Sequence, residues 1–190
     1  MKHLVLITAL MSGALVTSEA RQASQDARGA QASATLIDSS GRAVGQARLR
    51  QTEHGVLLQL DLTNATPGIH ALHIHETGRC DRPTFESAGG HFAPGGRAHG
   101  FFDPKGPHAG DLPNIHVPAS LTLSLEFFVN DVTLAPGPRS LLDADASAIV
   151  MHAGGDDYVS EPAGAAGERL ACGQIVGQAP RGGRSNSNDR

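Results

Sequence analysis

The sequence predicts an all-β protein, a sandwich or barrel of antiparallel strands. Several runs alternate apolar and polar residues with a period of two, as half-buried antiparallel strands do. The clearest run is 56–63, in which Val56 and three leucines share one face. The 23 glycines and 11 prolines provide turns between short strands, and no stretch has a convincing helical period.

Each predicted strand follows from its own alternation. Alanine and leucine share a face in the runs 32–36 and 47–49, and polar residues separate them. The run 121–129 places Leu, Leu, Leu, Phe and Val at its odd positions. The run 148–152 is a further strand-like run and ends in a histidine.

Two long segments interrupt the strands. Residues 76–118 have no clear strand pattern but many glycines, prolines and histidines, and residues 153–168 form a second irregular segment. Loops longer than about 12–15 residues in a compact domain are usually functional or disordered. The histidines favour function, so we expect two long functional loops.

The ends of the chain differ from its middle. Residues 1–20 combine a basic start, the apolar run 4–16 and small residues before the expected cut, which predicts a signal peptide. A membrane anchor is the alternative, but the run is shorter than the ~20 apolar residues of a membrane span, so we expect no span. Residues 21–30 are a predicted flexible lead-in, residues 31–177 one domain, and residues 178–190 a predicted disordered tail.

Charge and cysteine content narrow the function. The net charge of −4 provides no basic surface for nucleic acid, so we expect no nucleic-acid partner. Cys80 and Cys172 are the two cysteines. In an exported protein they are expected to form a disulfide, which would contribute on the order of 4–5 kcal/mol by closing a loop of about 92 residues.

The histidines are the strongest sign of chemistry. His73 and His75 alternate on a strand and therefore point to one face. A metal is the natural partner for two buried imidazoles. The first long loop and the run 148–152 add further candidate ligands, which are His91, His99, His108, Asp111 and His152.

Six histidines and one carboxylate exceed what one tetrahedral ion can hold. Two ions are the simpler count, and one histidine can bridge them because imidazole has two ring nitrogens. All-imidazole sets suit copper, zinc or nickel, and three imidazoles with a carboxylate suit zinc. Calcium and magnesium are disfavoured because they prefer oxygen ligands.

Other polar residues have simpler interpretations. His70 lies on the strand face opposite to His73, so we expect it to be structural. His116 could in principle replace His108 as a metal ligand, but it lies after the run 106–111 (GPHAGD) that contains His108. Asp143 and Asp145 lack the further oxygens of a calcium loop.

The order of the motifs resembles that of the copper/zinc superoxide dismutases, particularly the exported bacterial ones. The resemblance covers roughly residues 31–177. The matching runs are 68–76 (GIHALHIHE), 87–92 (SAGGHF), 99–100 (HG), 106–114 (GPHAGDLPN), 152–158 (HAGGDDY) and 164–173 (GAAGERLACG).

The resemblance implies a role for each candidate residue. It implies a copper site of His73, His75, His91 and His152, and a zinc site of His91, His99, His108 and Asp111. It further implies that His91 bridges the metals and carries a catalytic proton, and that Arg169 guides the anion. Asp156 would link His73 to His99, and Cys80 and Cys172 would be the family disulfide.

The resemblance also implies a Greek-key antiparallel sandwich, or flattened barrel, that disproportionates superoxide in the periplasm or outside the cell. Monomer and homodimer both stay open. The segment 92–94 lacks the asparagine usual after the bridging histidine, and the second loop has no lysine. Steering of the substrate must then come from Arg169, the metals, or residues such as Arg97 and Lys105.

Two rival functions have weaker support. A cupin-type metalloenzyme would use the run 94–99, but the expected flanking glycine and asparagine are absent. A metal store or copper carrier of the same fold would need neither Arg169 nor a bridging His91.

Overall fold

The computed structural model describes residues 29–178, so the predicted signal peptide, the lead-in through residue 28 and the tail from residue 179 lie outside the described residues. Within this range there is no α-helix, which confirms the all-β prediction. A short 3-10 helix spans Glu86–Ala88. The strands are β1 (Gln31–Asp38), β2 (Ala43–Gln51), β3 (Val56–Thr63), β4 (Gly68–His70), β5 (Leu72–His75), β6 (Ile115–Val117), β7 (Thr122–Val129), β8 (Ala148–His152), β9 (Arg169–Gln174) and β10 (Val176–Gln178).

The strands form one large curled sheet and a small ribbon. The large sheet has the order β5-β8-β9-β1-β2-β3-β7, and β10 continues beside the start of β1, where Gln31 faces Gln178. β4 and β6 form the two-stranded ribbon. All of these strand pairs are antiparallel. Neighbours such as β3 and β7 are distant in sequence, which is the connectivity of the expected Greek-key fold.

The inner face of the sheet is an aliphatic core. Rows of residues run across the strands, and one row pairs Ala34 with Ala47, Ala47 with Leu60, and Leu60 with Leu125. The first three of these side chains are buried. Each fully buried leucine contributes roughly 1.5–3 kcal/mol, so the core supports the edge strand and loops that hold the site.

The edge strand β7 differs from its prediction at one end. The alternation predicts Leu121 on the inner face, but Leu121 is partly exposed and adopts a left-handed backbone with φ +62°, so the strand begins at Thr122. The inner side chains of β7 are only half-buried because no strand covers its outer edge. The segment 76–118 also contains a strand that its sequence does not predict, β6.

The first loop is tied to the sheet by a disulfide. Cys80 is bonded to Cys172 of β9, with a Cα–Cα distance of 5.6 Å. The predicted cysteine pair is therefore confirmed. The second loop, 153–168, connects β8 to β9 and contains no strand. Among residues 29–178, no helix is long and apolar enough to span a membrane.

Candidate metal centre

Strands β5 and β8 bring three histidines to one place. His73 pairs with Val150 and His75 pairs with Ala148, so the two histidines share a face of the sheet. His152 ends β8, just after an irregularity in its pairing with β9. All three side chains are buried. The structure therefore brings the three predicted copper ligands together.

The first loop folds back along β5 and adds the remaining residues. His75 forms a bridge with His91, and His73 forms a bridge with Asp111. Backbone hydrogen bonds from Ile74 to Gly110 and from Phe92 to Ile74 hold the loop in place. Two groups of candidate ligand atoms result, and within each group all atoms lie within 4.8 Å of one another. The groups are His73, His75, His91 and His152, and His91, His99, His108 and Asp111.

Hydrogen bonds leave one free nitrogen on each of three histidines in the first group. Nε2 of His73 lies 2.8 Å from Asp156 Oδ2, and Nδ1 of His75 lies 3.0 Å from the Gly89 carbonyl oxygen. Nδ1 of His152 lies 3.2 Å from the Gly167 carbonyl oxygen. Because each of these acceptors takes a ring N–H, the lone pair of the opposite nitrogen is left available.

The free nitrogens are the test of whether a metal fits. His73 Nδ1 and His91 Nε2 are buried and have no hydrogen-bond partner. His75 Nε2 and His152 Nε2 face each other at 3.4 Å. Buried nitrogens without a proton donor are unfavourable unless something else binds their lone pairs. Four imidazole nitrogens in one place suit copper, and the donor set fits that metal.

The second group is arranged around one oxygen. Oδ1 of Asp111 lies 2.8 Å from His91 Nδ1 and 3.2 Å from the Nδ1 atoms of both His99 and His108. The Nδ1 atoms of His91 and His108 are 3.4 Å apart. Tetrahedral zinc with bonds of about 2.0–2.1 Å needs ligand atoms about 3.3 Å apart, so this group fits zinc.

His91 belongs to both groups. Its Nδ1 faces Asp111, while its Nε2 is the unpartnered atom of the first group. The ring centroid lies 3.9 Å from that of His73 and 5.1 Å from that of His99. The two nitrogens of one imidazole thus point into adjoining pockets.

The site electrostatics favour neutral imidazoles in the first group. Burial lowers the pKa of His75 to about 2, that of His152 to about 3 and that of His91 to about 4. The charge of Arg169 contributes to the low pKa values of His75 and His152. A neutral imidazole has the lone pair that a metal needs, so protons do not compete for these three rings near neutral pH.

Asp156 belongs to neither group but contacts one histidine of each. Its Oδ2 accepts from His73, and its Oδ1 lies 3.0 Å from His99 Nε2. Burial raises the pKa of Asp156, but hydrogen bonds from His73, the Tyr158 backbone and His99 outweigh it and lower the pKa to about 2. The carboxylate is therefore ionised and orients one ring in each group.

Sequence reasoning missed the residues that hold Asp156 and the backbone of His99. The side chain of Asn114 donates to the Asp156 carbonyl and accepts from the Asp156 N–H. Gly164 packs so closely that an added Cβ would lie 1.8 Å from Asp156 Oδ1. Glu161 accepts a hydrogen bond from the His99 N–H at 2.8 Å. In the sequence, the role of Asn114 is indicated only by its position at the end of the motif 106–114.

Arg169 lies on β9 next to the first group. It is the strand partner of His152. Its Nη1 donates to the Phe85 carbonyl at 2.6 Å and its Nη2 to the Gly89 carbonyl at 2.7 Å. The Gly89 oxygen thus accepts from both Arg169 and His75, which links the arginine to the first group.

Three further histidines among residues 29–178 lie outside both groups, and they are His54, His70 and His116. Both ring nitrogens of buried His70 lie within hydrogen-bond distance of backbone carbonyls, those of His152 and Thr66. His54 and His116 are exposed, and neither belongs to a group that could hold a metal among residues 29–178. Asp143 and Asp145 likewise belong to no such group in this part of the chain.

An antiparallel Greek-key sheet that carries adjoining four-ligand pockets with a shared imidazole defines a class of two-metal β-proteins. Comparison with known proteins specifies the family. The family model for copper/zinc superoxide dismutase matches residues 43–175. The chain belongs to the copper/zinc superoxide dismutase family, and it is an oxidoreductase with copper and zinc as cofactors.

The individual relatives are mostly bacterial. The chain is 45% identical over 144 residues to "Superoxide dismutase [Cu-Zn] 1" of Aquifex aeolicus, covering 75% of this chain and 85% of the relative. It is 43% identical to "Superoxide dismutase [Cu-Zn]" of Caulobacter vibrioides, covering 76% and 84%. A solved SOD-like protein from Bacillus subtilis is similar with a TM-score of 0.73 at 36% identity, covering 76% of this chain and 97% of that one.

Proposed function

We propose that this superoxide dismutase uses His73, His75, His91 and His152 to bind copper, and His91, His99, His108 and Asp111 to bind zinc. The observation that carries this assignment is the position of His91. One of its nitrogens lies in the Asp111 group, and the other is a buried atom without a partner in the first group. A ring whose Nδ1 lies among the residues of one group, and whose buried Nε2 has no partner in the other, is what a histidine shared by two ions requires.

Bound copper supplies one-electron redox chemistry, and bound zinc supplies a fixed positive charge beside it. The protein's own contribution begins with the substrate. Superoxide is a small anion, and the Arg169 guanidinium has five N–H donors, of which two contact backbone carbonyls. The remaining donors can bind and orient the anion beside the first group.

His91 provides a proton at a defined atom. Its Nδ1 stays fixed among Asp111, His99 and His108, while its Nε2 has no protein partner. With Nδ1 bound to zinc and Nε2 not bound to copper, the ring would be a neutral imidazole with its proton on Nε2, from which the proton could be transferred to the peroxide anion formed from superoxide. Asp156 keeps the rings of His73 and His99 oriented during this exchange.

The proposal extends to the location of the protein. We infer that residues 1–20 are a signal peptide and that the protein is periplasmic or secreted. Its disulfide supports this inference, because disulfides persist in oxidising compartments. The bacterial relatives point the same way.

Replacing Arg169 with alanine is expected to slow the reaction while both metals stay bound. A hydrogen bond to a charged group contributes about 1.5–3 kcal/mol, so the rate constant for superoxide should fall by about 10- to 150-fold. Pulse radiolysis or stopped-flow measurement of superoxide decay gives the rate, and mass spectrometry gives the metal content.

Two variants control this experiment. Arg169→Lys keeps the charge but loses the forked donor geometry, so its rate should lie between those of the wild type and Arg169→Ala. Arg42→Ala removes an exposed arginine that pairs with Asp38 and contacts no residue of either ligand group in the salt bridges of residues 29–178, so it should change neither the rate nor the metal content. A wild-type rate for Arg169→Ala would contradict the guiding role.

A further inference from the structure

Phe85 combines two features that are unusual together. Its side chain is completely buried, with 0% of its surface exposed. Its backbone has φ +57° and ψ +18°, which is the left-handed region that bulky residues rarely adopt. A conformation of this kind costs of order 1–3 kcal/mol and persists only where the surroundings enforce it, often at functional sites.

The surroundings of the Phe85 ring are a small core of their own. The ring belongs to a buried cluster with Ala88, Ala148, Val150 and Cys172, separate from the main core of the sheet. Ala148 and Val150 lie on β8, and Cys172 lies on β9. The ring is therefore anchored to the same two strands that carry His152 and Arg169.

The Phe85 carbonyl connects this small core to Arg169. It accepts from Arg169 Nη1, and it also accepts from the N–H of Ala88, 3.1 Å away. The second carbonyl on Arg169, that of Gly89, belongs to the same short segment of the first loop. The segment 85–89 thus presents two oxygens to one guanidinium.

The acceptors that hold the Arg169 guanidinium are carbonyl oxygens and not carboxylates, and this difference affects how the arginine can bind an anionic substrate. Among residues 29–178, no carboxylate forms an ion pair with the Arg169 guanidinium, although the charge of Glu86 acts on it from a longer distance. A carbonyl fixes the direction of the guanidinium without neutralising its charge. The positive charge and the unused donors stay available to the substrate.

We propose that Phe85 is a positioning residue for Arg169. Its buried ring holds the left-handed backbone that aims the Phe85 carbonyl at the guanidinium, and this contact sets how well Arg169 binds an anion. The inference rests on the proposed role of Arg169. Phe85 belongs to neither ligand group and acts entirely through the arginine.

The first experiment measures the arginine directly. Phenylglyoxal modifies free guanidinium groups, and the modification of Arg169 in the metal-loaded protein can be followed by peptide mass spectrometry. We expect modification to be several-fold faster in Phe85→Ala than in the wild type. Phe85→Leu keeps a buried apolar side chain and should largely restore the slow rate.

The second experiment measures coupling through the superoxide rate. Phe85→Ala should lower the rate constant by about 2- to 10-fold, the equivalent of one weakened hydrogen bond. If Phe85 acts through Arg169, the double variant Phe85→Ala/Arg169→Ala should be no slower than Arg169→Ala alone. Leu58→Ala is the matched control, because it truncates a fully buried side chain of the main core and should change neither readout.

The variant Phe85→Gly distinguishes the contribution of the ring from that of the left-handed backbone. Phe85→Gly adopts φ > 0 easily but has no ring. We expect it to be as impaired as Phe85→Ala in both measurements. Wild-type behaviour of Phe85→Gly would overturn the role of the ring.

Unchanged Arg169 reactivity in Phe85→Ala, or rate effects that multiply in the double variant, would overturn the inference as a whole. If Arg169→Ala has a wild-type rate, the role of the arginine fails instead. The phenylglyoxal measurement still reports whether Phe85 positions Arg169 in that case, so the two failures are distinguishable.

Discussion

His152→Ala is expected to lose copper and nearly all superoxide dismutase activity while it retains zinc. His152 belongs only to the first ligand group, and its Nε2 faces that of His75 at 3.4 Å. Loss of a partner that merely orients a ligand costs about 10- to 100-fold in affinity or activity, so loss of the ligand itself should cost more than about 100-fold. Metal analysis of the purified variant and its superoxide rate test the prediction together.

The control for this variant is His116→Ala. His116 is an exposed histidine of β6 that belongs to neither ligand group, so its removal should leave both metals and the rate unchanged. A His152→Ala protein with full copper and a wild-type rate would show that the copper site lies elsewhere. Loss of both metals in equal measure would contradict the separate assignment of the two groups.

Removal of the disulfide is expected to have the largest effect on stability. Cys80 and Cys172 are 92 residues apart, and cross-linking a loop of this length contributes about 4–5 kcal/mol in the chain-entropy model. For a domain of this size, each kcal/mol shifts the melting temperature by roughly 2–4 °C. The Cys80→Ala/Cys172→Ala variant should therefore melt roughly 8–20 °C below the wild type, as measured by calorimetry of the metal-loaded proteins.

The disulfide also secures the segment that holds Arg169. Cys80 and Cys172 contact the small core around Phe85, whose carbonyl receives the guanidinium. The double variant should thus react more slowly with superoxide even at temperatures where it is folded. Wild-type protein treated with a reductant is the control, and it should show the same two changes. A melting temperature equal to that of the wild type would contradict the stabilising role.

The candidate ligand residues can be predicted from the sequence, because the spacing of His73 and His75 defines which face of a strand they share. The alternation of His73 and His75 along a strand is enough to place both side chains on one face of a sheet. The first long loop is recognisable by its length and by its histidines. The copper and zinc assignments, however, depend on the family resemblance, because six imidazoles alone leave the choice of metal open.

The supporting residues cannot be predicted in this way, since they act through long-range backbone contacts. Asn114 holds Asp156 across 42 positions of sequence, and Arg169 donates to the Phe85 carbonyl across 84. Neither contact leaves a local pattern in the chain. The left-handed backbone of Phe85 is equally invisible, because propensity favours glycine or asparagine at such an angle. The prediction that Leu121 lies on the inner face of a strand is wrong for a related reason. Leu121 fits the alternation of the strand, but its left-handed backbone places it before the strand begins.

Anomalous X-ray diffraction from crystals of the metal-loaded protein, at the copper and zinc absorption edges, tests the central claim most directly. The account predicts one copper peak among His73, His75, His91 and His152, and one zinc peak among His91, His99, His108 and Asp111, with the His91 ring between them. A single metal peak, or two peaks that do not share His91, would contradict it.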